Sequence, residues 1–215
     1  LARSRGLGDV YKRQVIASSS SGMPISNITQ NLRGQHRCII AHPANPPHLI
    51  PCVELCPSEN TSQKTIKKTQ EIFKSSGASI VNVRKEIDGF ILNRLQGALL
   101  NEAMRLYSEG YASSEDIDAT IKDGLGLRWA FMGPFETIDL NAPGGIKDYM
   151  ARYGSIFIEM AKTQTKIPDW SDDAGNKLEY ERRKILSEDD LEKRAKKRNL
   201  LLKQLRKLKI ENDET

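Results

Sequence analysis

His42 and Glu54, twelve residues apart, are the residue types that proton transfer from an alcohol requires. Each sits on a short apolar run that reads as a strand. Cys38-Ile39-Ile40-Ala41 leads into His42, and Val53-Glu54-Leu55-Cys56 stops at Pro57. An imidazole at a strand end can take a proton; a carboxylate beside it fixes the tautomer and stabilises the imidazolium that forms. Spacing alone does not separate such a pair from unrelated surface residues. Asn93 lies in a long helical pattern with Gly89 and Gly97 one turn to either side, leaving room for a ligand or for a second helix. The serines Ser18, Ser19, Ser20 and Ser21 follow the apolar run Val15-Ile16-Ala17. Open α/β sheets bind ligands at such strand ends, although a solvated serine turn has the same sequence.

Other chemistries are less well supported. All three histidines and all three cysteines fall within the 21 residues from His36 to Cys56. Cys52 and Cys56 flank a predicted strand, where residues four apart share a face at a separation of about 13 Å. Two thiolates that far apart do not share a metal, so the reading is free thiols, ordinary histidines and no metal site. Dinucleotide fingerprints fail at the third glycine: Gly124-Leu125-Gly126 is followed by Trp129, and Gly6-Leu7-Gly8 by Tyr11.

The elements that must position these residues change character along the chain. Up to about residue 85, apolar runs of three to five residues alternate with a short helix after Pro24 and a longer one capped by Thr61 or Ser62 and closed by Gly77. From Asp88 the pattern is helical, with Phe90, Ile91, Leu95, Ala98, Leu99, Ala103 and Leu106 at helix spacing before Gly110. Further helices are predicted from Ser113/Ser114 to Asp123, from Pro134, from about Gly145 to Lys162, and after Ser187. The stretch following Pro168 reads as polar chain.

The 215 residues carry a formal net charge of +5, which suggests a polyanion binder until the charge is located. Residues 1–14 hold four basic residues and one acid without helical or strand periodicity, and read as a non-native, adaptor-derived segment. Residues 177–215 hold 13 basic and 9 acidic residues in a charged C-terminal helix, leaving the body mildly acidic. Between Lys193 and Lys209 that helix interleaves leucines but no aromatics, so its expected role is docking on the body or a partner, not nucleic-acid binding. An odd count of three cysteines and the lack of a leader pattern point to a reducing, cytoplasmic setting, and no apolar run suits a membrane.

Five motifs in order resemble the 3-hydroxyacyl-CoA dehydrogenase superfamily: Ser18 to Ser21, Ala41-His42-Pro43-Ala44-Asn45-Pro46, Val53-Glu54-Leu55, Asp88-Gly89-Phe90-Ile91-Leu92-Asn93-Arg94 and Gly133-Pro134-Phe135-Glu136. The string from Asp123 to Pro134, with His42-Pro43 and Lys85-Glu86-Ile87-Asp88, is similar to the lambda-crystallin, or L-gulonate 3-dehydrogenase, branch. The resemblance implies an α/β remnant of a Rossmann-type NAD domain (15–87), then an all-α dimerisation and substrate domain (88–176). It also implies NAD as cofactor, His42 as catalytic base, Glu54 as its acidic partner, and Ser21 and Asn93 as donors to the substrate oxygen. Ser18 and Ser19 then lie toward the cofactor, and Arg128 is the cation for a small carboxylate substrate. Gulonate is the expected substrate, with carnitine or a 3-hydroxyacyl-CoA as alternatives, and a homodimer is expected through the helical domain. A non-catalytic, crystallin-like structural role is the reading from another class. Without the glycine fingerprint, the 215-residue chain alone is expected neither to hold NAD appreciably nor to turn over.

Overall fold

The computed structural model describes residues 14–212; all of the segment read as non-native except Gln14 lies outside the described residues. The chain forms two compact units that divide between Gly97 and Ala98.

The first unit is built on a four-stranded sheet in the order β1-β2-β3-β4. Strand β1 (Ile16–Ser18) runs parallel to β2 (Cys38–Pro43). Strand β3 (Cys52–Cys56) is antiparallel to β2 and parallel to β4 (Ser79–Asn82). Side chains alternate across a strand, so β2 and β3 each contribute to two cores. Ile39, Ala41, Val53 and Leu55 face one way and pack with Val15, Ile66, Phe73, Ala78 and Ile80. Cys38, Ile40 and Cys56 face the other way, against Ile25, Val83 and Phe90. Both faces of β2 are covered, which is why its sequence is a continuous apolar run and not an alternating one. Burying each of Ile39, Ile40 and Leu55 stabilises the sheet by about 1.5–3 kcal/mol.

Helix α1 is a single turn, Ile25–Ile28, shorter than the sequence reading. Helix α2 (Gln63–Ser75) is capped by Ser62, whose Oγ accepts from Thr65 N–H at 3.2 Å, and ends before Gly77 at φ 76°. Helix α3 (Leu92–Ser108) begins later than the apolar spacing suggests. Gly89 (φ 77°) and Phe90 (φ 52°) are left-handed, and no α-helix passes through two such residues. Because Phe90 is sealed into the core of the first unit, the contact boundary falls inside α3, ten residues after the change in sequence texture.

The second unit is helical. Helix α4 (Ser114–Ala119) continues through one widened turn, Thr120–Leu125, into α5 (Gly126–Trp129). The widened turn brings the Ile121 carbonyl so close that a β-carbon on Gly126 would sit 2.8 Å from it. Helices α6 (Pro134–Leu140) and α7 (Gly145–Thr163) follow, and Asp139 joins them by accepting from Ile146 N–H at 2.7 Å.

A helix that the sequence reading passed over, α8 (Asp172–Ile185), occupies the stretch after Pro168 and crosses the boundary drawn at 176/177. It has few apolar residues to make a stripe and is anchored by polar contacts instead. Glu181 accepts from Tyr107 Oη and Ser114 Oγ, both at 3.1 Å, and Arg182 pairs with Asp118 at 3.0 Å. The last helix, α9 (Leu191–Asn212), has no buried residue, and Leu201 and Leu208 of its expected docking stripe are exposed.

Candidate active site

The sheet register places His42 directly opposite Glu54. Both belong to the face that carries Ile40 and Cys56, and they are 5% and 1% exposed. His42 Nδ1 lies 3.0 Å from Glu54 Oε2. The other carboxylate oxygen, Oε1, accepts from Ile91 N–H and from Leu92 N–H, each at 2.9 Å. These amides open α3 and have no intrahelical acceptor, so the glutamate fills a need that every helix N-terminus has. Three donors on two oxygens suit an acceptor-only carboxylate. With Nδ1–H donating to it, His42 is left with Nε2 as a bare acceptor, the state a general base requires.

The Phe90 ring flanks the imidazole at 5.5 Å between centroids, with the planes inclined by 48°. It excludes water from that side of the pair, being itself fully buried. Sequence reasoning found Asn93 but missed Phe90 and the two amides. The available signal was Asp88-Gly89, a turn dipeptide immediately before the helix.

Ser18 ends β1 on the same edge of the sheet at which β2 reaches His42, because the two strands are parallel. Its Oγ accepts from Ser20 N–H, and Ser20 Oγ accepts from Met23 N–H, so this serine turn is ordered by its own hydroxyls. Ser19 and Ser21 are exposed. Asn93 Nδ2 donates to the Ser21 carbonyl, which ties the start of α3 to the serine turn. Gly89 N–H strengthens that tie by donating to Gly22 O at 2.9 Å. The structure thus joins His42 with Glu54, and Ser21 with Asn93, and both pairs meet the first residues of α3. Arg128 is exposed on α5, in the second unit.

The cysteines have a different setting. All three are free. Burial pushes the Cys56 thiol up to about 11, with the negative charge of Glu86 adding to the effect. Burial likewise raises Cys38 and Cys52. Thiols shifted this way stay protonated and are poor nucleophiles. Among the described residues no cluster of three or more His, Cys, Asp or Glu side chains could hold a metal ion, and no helix is long and apolar enough to cross a membrane.

Residues 7–87 match the family profile described as 3-hydroxyacyl-CoA dehydrogenase, NAD binding domain, and residues 89–185 the 3-hydroxyacyl-CoA dehydrogenase, C-terminal domain. The chain is 43% identical to lambda-crystallin of Oryctolagus cuniculus over 202 residues, covering 93% of this chain and 63% of that protein. It is 36% identical to the L-carnitine dehydrogenase of Pseudomonas syringae pv. syringae over 159 residues, covering 74% of this chain and 50% of the relative. Among solved structures, an NAD+-dependent dismutase, 5-formyl-3-hydroxy-2-methylpyridine 4-carboxylic acid 5-dehydrogenase, matches with a TM-score of 0.78 at 25% identity. That match covers 92% of this chain and 64% of the other. The chain therefore spans between half and two thirds of the length of these relatives.

Proposed function

Because the chain belongs to the 3-hydroxyacyl-CoA dehydrogenase family, we propose that, extended to the length of its relatives, it is an NAD-dependent dehydrogenase oxidising the C3 hydroxyl of a small hydroxy acid. One observation carries this reading. A buried histidine near the C-terminal end of β2 has one ring nitrogen held by a carboxylate that also accepts two main-chain hydrogen bonds, which leaves its second nitrogen for a proton.

His42 Nε2 accepts the proton of the substrate hydroxyl as the C3–H bond breaks. Glu54 stabilises the imidazolium that results, and no proton needs to leave the pair until product departs. Asn93 and Ser21 serve the reacting oxygen. The Asn93 amide spends one N–H on the Ser21 carbonyl and has a second to donate, and Ser21 is exposed. Ser18 and Ser19 stand on the edge that suits a nicotinamide, whereas the glycine fingerprint for the pyrophosphate does not occur in this sequence. Bound NAD supplies the hydride acceptor, and the protein supplies aim and proton transfer.

L-gulonate is the proposed substrate, with Arg128 pairing its carboxylate. The relatives include a 3-hydroxyacyl-CoA dehydrogenase of Gibberella moniliformis at 41% identity beside the L-carnitine dehydrogenase at 36%, so both a CoA thioester and a second small hydroxy acid stand against gulonate in the assay. The test is NADH formation at 340 nm from L-gulonate, L-carnitine and a 3-hydroxyacyl-CoA, with the protein at full relative length. Gulonate is expected to give the highest kcat/KM. His42→Gln should lower kcat on the order of 100-fold or more, the scale of a lost general base. Arg128→Ala should raise KM for gulonate while leaving that for NAD unchanged. Turnover of none of the three removes the reading in favour of a structural, crystallin-like role, and an unaffected His42→Gln removes His42 as the base.

A homodimer belongs to the same proposal. The helical unit buries few large side chains, while Phe135, Met150, Tyr153, Phe157 and Met160 on α6 and α7 stand 40% or more exposed. Exposed apolar side chains in such number are what subunit interfaces cover.

A further inference from the structure

Five consecutive residues, Gly89 to Asn93, touch His42, Glu54 and the Ser21–Gly22 end of the serine turn. Gly89 N–H reaches Gly22 O, the Phe90 ring lies against His42, the Ile91 and Leu92 amides hold Glu54 Oε1, and the Asn93 amide meets the Ser21 carbonyl. The segment enters α3 through two left-handed residues. For Gly89 this conformation is free of strain; for Phe90, at φ 52°, it is not. A helix can begin from an ordinary extended residue, as α2 and α4 do from Ser62 and Ser113, so helix initiation does not call for the strain. Its effect is aim. The left-handed entry turns the first amides of α3 onto one oxygen of Glu54 and leaves the other for His42 alone. Burial of the Phe90 ring among Ile25, Cys38, Ile40, Cys56 and Val83 holds the turn closed.

We infer that Phe90 is a positioning residue that acts through Glu54. By holding the left-handed turn shut beside the imidazole, it fixes the carboxylate through the Ile91 and Leu92 amides, and the carboxylate in turn fixes the Nδ1–H tautomer of His42. The inference rests on His42 and Glu54 being the proton-transfer pair, but the tautomer can be read without turnover.

The experiment uses the 215-residue chain with 15N-labelled histidine and long-range 1H–15N correlation spectra at about pH 8.5, above the usual imidazole range. The parent should show His42 as a single tautomer, protonated at Nδ1 and bare at Nε2. Phe90→Leu keeps an apolar side chain and removes the ring. It should lose that single form and give averaged shifts at both nitrogens, with native circular dichroism. A second pair separates the amide from the packing: Leu92→Ala and Leu92→Pro both lose the leucine, but only proline loses the N–H that reaches Glu54. Proline in the first turn of a helix is tolerated, so Leu92→Pro should fold and show the averaged shifts, and Leu92→Ala should retain the parent tautomer. If Phe90→Leu does not fold, the Leu92 pair decides. Folded Phe90→Leu or Leu92→Pro with the parent tautomer overturns the inference, as does Leu92→Ala behaving like Leu92→Pro. Failure of the dehydrogenase assay with the expected tautomer pattern would sink the reaction and leave the positioning role standing.

Discussion

At the scale of single residues, the sheet makes a pair out of two side chains that sequence spacing could only nominate. His42 and Glu54 are cross-strand neighbours because the connection between β2 and β3 sets the antiparallel register, and a slip of one residue would send them to opposite faces. Cys56, two residues further along the same face, offers a separate test. Its thiol is shifted up from 9.0 to about 11 mainly by burial, so the folded chain holds that proton where the unfolded chain releases it. Stability from this group is therefore complete below pH 9 and is lost as pH rises from about 9 to about 11. Denaturant midpoints measured across that range should fall, and Cys56→Ala should remove part of the fall. The sequence nominated His42, Glu54, Ser21 and Asn93, and the fold brings the first two together and the last two together. The amides of Ile91 and Leu92 were not legible in the sequence, because every residue except proline carries one and no side chain marks where it points. Phe90 was legible only as a helix-face apolar residue, since its left-handed backbone follows from tertiary packing and not from its type.

At the scale of elements, short-range signals placed most of the helices and missed those built on other grounds. Ser62 and Gly77 frame α2 as capping chemistry requires. Helix α8 escaped because its hold on the second unit is Glu181 and Arg182, polar residues that look like surface. Two left-handed glycines give a graded test of turn geometry. A β-carbon on Gly77 would meet nothing within 4 Å, so Gly77→Ala carries conformational strain alone, about 1 kcal/mol. Gly145 shares the left-handed backbone, but its β-carbon would sit 2.9 Å from Asp139 Oδ1, the atom that holds Ile146 N–H. Gly145→Ala should cost about 1–2 kcal/mol more than Gly77→Ala in denaturant unfolding, the difference being the disturbed hydrogen bond. Equal losses would show that the α6–α7 junction yields at no cost.

At the scale of the whole molecule, the two units contrast in how they bury apolar surface. The sheet unit encloses two cores around β2 and β3, whereas the helical unit leaves Phe135, Met150, Tyr153 and Phe157 in water. On the proposed homodimer, Phe157→Asp should shift sedimentation from a dimeric parent toward the monomer at micromolar concentration; a monomeric parent would sink the homodimer, and a dimeric variant would place its contact away from α7. The net charge of +5 is also a whole-molecule property that misleads until divided: nine basic residues lie on α9, far along the sequence from the chemistry. Periodicity made the fold class readable, and family motifs made the pair of units readable, but the sequence pattern could not say that the glutamate is held by main chain. Main-chain donors have a bearing on how such a site can change over generations. Side-chain identities at 91 and 92 are free to drift without releasing Glu54, because every replacement but proline keeps the amide. The contact between His42 and Glu54 is thereby insulated from most mutation at the positions that grip the glutamate, and only the turn that aims those amides has to be preserved.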